Sequence, residues 1–120
     1  MRAGAHSRAM RACQPGMKEY ELEAEFVHEF RRHGAECSYP PIVAAGVNAC
    51  ILHYRSNDAP LLDGDLVLID AGCELGLYAS DVTRTFPVNG RFSAPQRELY
   101  EVVLDANQAA TAKAVPGNHW

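Results

Sequence analysis

The chain has 120 residues, 48% of them hydrophobic, and a formal net charge of −4. That length allows one domain or part of one, and mild acidity without a basic run argues against nucleic acid as a partner. No apolar run approaches the roughly 20 residues that span a bilayer, which argues against a membrane partner as well. Met1 to His6 lack the apolar core of a signal peptide. Cys13, Cys37, Cys50 and Cys73 are scattered with no Cys-x-x-Cys pair. They read as reduced thiols, so the expected compartment is the cytoplasm.

In chain order, residues 3–13 are alanine-rich with His6, Met10 and Cys13 at helical spacing. Pro15-Gly16 then punctuates. Glu19 to His33 predicts a stronger helix: Leu22, Phe26 and Phe30 form an i, i+4, i+8 stripe with Val27 beside it. Glu19, Glu21, Glu23 and Glu25 crowd its first half and read as a solvated face. Arg31 and Arg32 lie in its last turn and Gly34 follows, as the helix dipole and a stop signal require. Tyr39-Pro40-Pro41 reads as a rigid connector into a buried strand, Ile42 to Val47. Ile51-Leu52-His53-Tyr54 predicts a second, shorter strand. Ser93-Ala94-Pro95-Gln96 is a capping box that opens a last helix, with Leu99, Val103, Ala106 and Ala110 as its stripe. Val115-Pro116-Gly117 closes it. The order predicts an α+β domain, helices packed on one face of a mainly antiparallel sheet.

Between these elements, Leu66 to Phe86 reads as two apolar, β-branched strands around a turn at Glu74 to Gly76. If that turn centres between Leu75 and Gly76, Asp70 and Asp81 lie directly across the ladder on one face. Two ionised carboxylates about 5 Å apart repel by roughly 3 kcal/mol at an effective dielectric near 20. A cation between them would turn that repulsion into attraction. The alternative is a pair of water-facing turn or edge residues, and a bulge would break the register. Asp63, in Asp63-Gly64-Asp65, fits a turn.

Leu68-Ile69-Asp70-Ala71-Gly72-Cys73-Glu74, followed by Tyr78-Ala79-Ser80-Asp81-Val82-Thr83-Arg84-Thr85-Phe86-Pro87-Val88, resembles the pita-bread metallopeptidases. Asn48-Ala49-Cys50-Ile51-Leu52-His53-Tyr54, and Pro15-Gly16-Met17-Lys18-Glu19 before a helix, match the same group. Within it, these settings look most like the Xaa-Pro aminopeptidases (aminopeptidase P). The resemblance runs from about Ala5 to Trp120.

This resemblance implies the first half of a pita-bread fold, with residues 1–120 a partial catalytic domain. The second half, and the extra N-terminal domain usual in the family, would lie outside the chain. It implies two divalent metal ions held by Asp, Asp, His, Glu and Glu. Asp70 and Asp81 match the first two ligands, Asp81 resembling the one shared by both ions. A carboxylate-rich set with one imidazole suits Mn²⁺, with Co²⁺ or Zn²⁺ as alternatives. His53 matches an active-site histidine that is not a ligand and resembles a donor to the substrate carbonyl or the tetrahedral intermediate. From residues alone, a lone strand histidine is more often a satisfied core residue. His119 comes before the family's ligand histidine and is not assigned to the site, and His6, His28 and His33 are left structural. Thr83 and Arg84 read either as support for the ligands or as ladder and surface residues.

The implied activity is hydrolysis between an N-terminal residue and a following proline, with such a peptide as the partner. A prolidase or methionine-aminopeptidase type of the same fold, and a non-catalytic binding module, are the alternatives. The chain alone is expected to be inactive, with an exposed apolar face that favours a homo-oligomer.

Overall fold

The computed structural model describes residues 2–119. Two helices, α1 (Arg2–Ala12) and α2 (Glu19–Arg32), precede six short strands and one 3₁₀ turn, Gly46–Cys50, and a third helix, α3 (Ala94–Ala112), follows them. The helix α2 starts where the Lys18 backbone N–H donates to the Glu21 carboxylate at 2.6 Å, half of a capping box. It stops at Gly34, whose φ of +73° no β-carbon opposes. There the Ala35 N–H returns to the Phe30 carbonyl at 3.0 Å and the Gly34 N–H to Arg31 at 3.0 Å, a Schellman closure. Leu22, Phe26 and Phe30 are buried in one cluster with Ala5 and Ala9 of α1. Each large side chain so buried contributes roughly 2 kcal/mol. Arg8 of α1 pairs with Glu25 of α2 at 2.8 Å. His6, left structural above, is buried against Phe26 and places Nε2 3.0 Å from the Val82 carbonyl oxygen, so α1 is tied to the sheet as well.

The strands are β1 (Glu36–Cys37), β2 (Ile42–Ala45), β3 (Leu66–Ala71), β4 (Cys73–Leu75), β5 (Tyr78–Ala79) and β6 (Val82–Pro87). All pairings are antiparallel, in two three-stranded sheets ordered β1-β4-β5 and β2-β3-β6. The central hairpin runs through both, β3 continuing as β4 and β5 as β6. Val43, Ala45, Val67, Ile69 and Ala71 join the helix cluster. Ile42, Ala44 and Leu68 alternate to the other face, where they meet Tyr54. α1 and α2 therefore cover one face of the sheet.

The structure departs from the sequence expectations at four places. Ile51 to Tyr54 is a turn, not a strand, with His53 at φ +53°. The buried strand ends at Ala45, because the chain winds into the 3₁₀ turn over Gly46–Cys50. The hairpin turns at Gly76 and Leu77, both at positive φ (58° and 69°), with Leu75 paired to Tyr78. That is the two-residue geometry whose twist matches paired strands. Finally, the capping box at Ser93 and Gln96 forms, but α3 buries no residue. Leu99 and Val103, its expected packing stripe, are 65% and 61% exposed.

Candidate metal centre

Asp70 and Asp81 do not oppose each other directly. Asp70 pairs with Thr83 and Ala71 with Val82, a register two residues from the one expected. A two-residue shift keeps every side chain on its face, so the aspartates still share a face, now as diagonal neighbours. The offset removes a like-charge pair from a directly opposed position, where repulsion is largest. Asp70 is half-buried on β3, and Asp81 is exposed between β5 and β6.

Three neighbouring contacts build this arrangement. A β-carbon on Gly72 would lie 1.6 Å from the Ser80 carbonyl oxygen, so only glycine lets the two hairpin arms approach so closely. Ser38 Oγ donates to that same oxygen at 2.7 Å, and the Ser38 N–H donates to the Gly72 carbonyl at 3.0 Å. Beyond Ser38, the edge strand carries Tyr39, Pro40 and Pro41 opposite Ala71 alone, since the ladder resumes at Ile42 with Asp70. This bulge is seeded by two prolines that cannot donate to a ladder.

The bulge aims Tyr39 at the carboxylates. Its hydroxyl lies 2.6 Å from Asp70 Oδ1 and 2.8 Å from Asp81 Oδ1. A phenol has one proton, so it satisfies one carboxylate fully or both partially. The two oxygens can be no farther apart than the sum of those distances. Burial, and then the hydrogen bonds to the two aspartates, hold the Tyr39 phenol above its ordinary pKa range. Among the described residues no Lys, Arg or His is ion-paired with either aspartate. The pair is rich in acceptors and poor in positive charge, which is the donor chemistry a divalent cation satisfies. It is a partial set: among the described residues no group of three or more His, Cys, Asp or Glu could hold an ion.

His53 is exposed and makes no hydrogen bond to either aspartate. Its setting is nevertheless fixed. Tyr54, the next residue, packs on Ile42 and Ala44, the residues that pair with Asp70 and Leu68. The loop that carries it is held along the outer edge of β2. Asn57 accepts from the Val43 N–H at 3.0 Å and donates to Glu23 at 2.7 Å and to the Pro41 carbonyl at 3.1 Å. Glu19 is fully buried, which corrects its reading as part of a solvated face. It accepts from Ala45 N–H at 2.8 Å, Asn48 Nδ2 at 3.2 Å, Tyr54 O–H at 2.8 Å and Ala59 N–H at 3.0 Å. Two side chains thus satisfy edge-strand donors that would otherwise be open.

Sequence reasoning missed Tyr39 and Glu19 as contributors. Nothing in local spacing marks Tyr39, whose partners are 31 and 42 residues away. Glu19 did leave a signal: it shares a helix face with Leu22, Phe26 and Phe30, all buried. An acidic residue on an apolar stripe is a buried-network candidate. Of the two residues with alternative readings, Thr83 is the cross-strand partner of Asp70 and Arg84 is an exposed surface residue. Beside Thr83, a cleft of about 490 Å³ opens between the aspartate face (Leu66, Thr83, Thr85) and the apolar side of α3 (Leu99, Tyr100, Val103).

The structure is thus an α+β scaffold that converges two aspartates from one hairpin on a single face. The family model for metallopeptidase family M24 matches residues 1–120, and the chain belongs to that family. The Xaa-Pro aminopeptidase of Haemophilus influenzae is 61% identical over 114 residues, 94% of this chain and 26% of that protein. The human Xaa-Pro dipeptidase is 41% identical over 122 residues, 97% of this chain and 25% of that protein. The structure of Pseudomonas aeruginosa aminopeptidase PepP superposes with a TM-score of 0.96 at 63% identity, covering 98% of this chain and 27% of that one. The architecture is accordingly an α+β half of the pita-bread fold. The chain spans about a quarter of the length of the curated relatives it matches. No helix of the described residues is long and apolar enough to cross a membrane.

Proposed function

We propose that residues 1–120 form the first half of the catalytic domain of a Xaa-Pro aminopeptidase. Its substrate is a peptide with proline at the second position. The observation that carries this reading is the convergence of Asp70 and Asp81 on one phenolic oxygen, in a chain 61% identical to a Xaa-Pro aminopeptidase. Asp70 and Asp81 would supply two of the ligands for a pair of divalent ions. The other ligands, a histidine and two glutamates, come from outside this chain, as does an extra N-terminal domain. Held there, such ions, Mn²⁺ in this reading, would supply activation of a water and polarisation of the scissile carbonyl. His53, on an exposed turn next to Tyr54, donates to the substrate carbonyl oxygen. The apolar side of α3 and the cleft beside Thr83 receive the remainder of the domain, and in residues 1–120 alone that face, left uncovered, favours self-association. Four cysteines free of disulfides support a cytoplasmic setting.

A second reading, Xaa-Pro dipeptidase, is favoured by one observation, the 41% identity to the human enzyme of that name. The test compares a Xaa-Pro-Xaa tripeptide with a Xaa-Pro dipeptide, using the whole protein that contains this chain, with and without Mn²⁺. Metal-dependent cleavage of the tripeptide is expected, and Asp81→Asn removes it. Cleavage of the dipeptide alone moves the assignment to the second reading, and turnover unaffected by chelation overturns both.

A further inference from the structure

We propose that Tyr39 is a positioning residue for the metal centre: its hydroxyl holds Asp70 and Asp81 in convergent orientations and so strengthens their affinity for a divalent cation. This rests on the reading of the two aspartates as ligands given above. The argument begins with what Tyr39 does not do. Its ring joins neither buried cluster, and its hydroxyl has no partners besides the two carboxylates among the described residues. Its place is fixed by the bulge ahead of Pro40-Pro41 and by Ser38, which is bonded to both hairpin arms. A rigid backbone therefore presents one neutral donor to two acceptors.

Neutrality matters here. Two carboxylates held together repel, and left alone they would rotate apart toward water. A lysine between them would hold them but would also cancel the charge a cation needs. A phenol orients both while leaving the negative charge in place. Partners of this kind, which orient ligands without touching the ion, are commonly worth 10–100-fold in metal affinity.

The test uses the whole protein, stripped of metal by chelation, in wild-type, Tyr39→Phe and Asp81→Asn forms. Mn²⁺ affinity is measured by calorimetry, and the Mn²⁺ concentration for half-maximal turnover is measured alongside kcat. For Tyr39→Phe the expected result is roughly 10–100-fold weaker Mn²⁺ binding, with kcat largely recovered at saturating Mn²⁺. Its metal-free circular dichroism should match wild type. Mn²⁺ affinity within about threefold of wild type, or a fall in kcat that added Mn²⁺ does not rescue, overturns the proposal. Loss of fold in Tyr39→Phe assigns the hydroxyl to stability and overturns it as well. Asp81→Asn separates the two levels: wild-type Mn²⁺ affinity in that variant defeats the metal-centre reading itself, whatever Tyr39→Phe does.

Discussion

The molecule contains two acidic sites that fold chemistry treats in opposite ways. Glu19 is fully buried and accepts four hydrogen bonds from two backbone N–H groups, an amide and a phenol. Asp70 and Asp81 are two carboxylates sharing one phenolic proton. The first has more donors than one carboxylate usually gathers, at the N-terminal end of a helix whose dipole also favours it. The second has more acceptors than donors. A saturated carboxylate is a structural part, whereas an undersupplied pair keeps acceptor capacity that protein donors leave unused.

Substitutions at the two sites should therefore break different properties, and each is made in the whole protein. Asp81→Asn should produce the largest effect, peptidase activity below a tenth of wild type, with metal-free stability unchanged or slightly raised because a repulsion is relieved. A tenfold loss corresponds to about 1.4 kcal/mol, so activity above that level would exclude an essential ligand role. His53→Ala comes next: kcat should fall by roughly 100-fold, the scale of one lost donor to a developing oxyanion. Its metal content should stay at wild type, and loss of an ion in elemental analysis would make His53 a ligand instead.

Glu19→Ala should invert the pattern of Asp81→Asn. Orphaning buried donors costs about 1–3 kcal/mol each, so a destabilisation of about 3 kcal/mol or more is expected in urea, with intrinsic Mn²⁺ affinity retained while the protein remains folded. The loop from Ile51 to Pro60 should then exchange amide hydrogens faster, because Glu19 and Asn57 are what hold it. Equal stability would mean that water replaces the carboxylate and that the network is not structural. The smallest effect concerns Cys13, whose thiol burial pushes up to about 11. A raised pKa leaves less thiolate at any pH below it, by roughly a hundredfold for a two-unit rise. Iodoacetamide at pH 8 should accordingly label exposed Cys50 well before Cys13, and mass mapping of the first adduct checks this.

Much of the scaffold was legible because it is local. The stripe Leu22, Phe26 and Phe30, the stop at Gly34 and the box at Ser93 and Gln96 depend on residues within about a turn of one another, and each forms. The sequence also put Asp70 and Asp81 on one face, because alternation along a strand survives a two-residue error in register. It could not determine the register itself, which depends on Gly72 meeting the Ser80 carbonyl and on Ser38 joining both arms. Nor could it separate a strand from a turn at Ile51 to Tyr54, where apolar residues suggested a ladder. There, side chains of Glu19 and Asn57 occupy the edge of β2 that a further strand would need. The residues that the sequence underrated, Tyr39 and Glu19, act through partners 26 to 42 positions away. Periodicity reports which face a residue occupies. Only the folded chain brings a distant donor to the carboxylate that needs it.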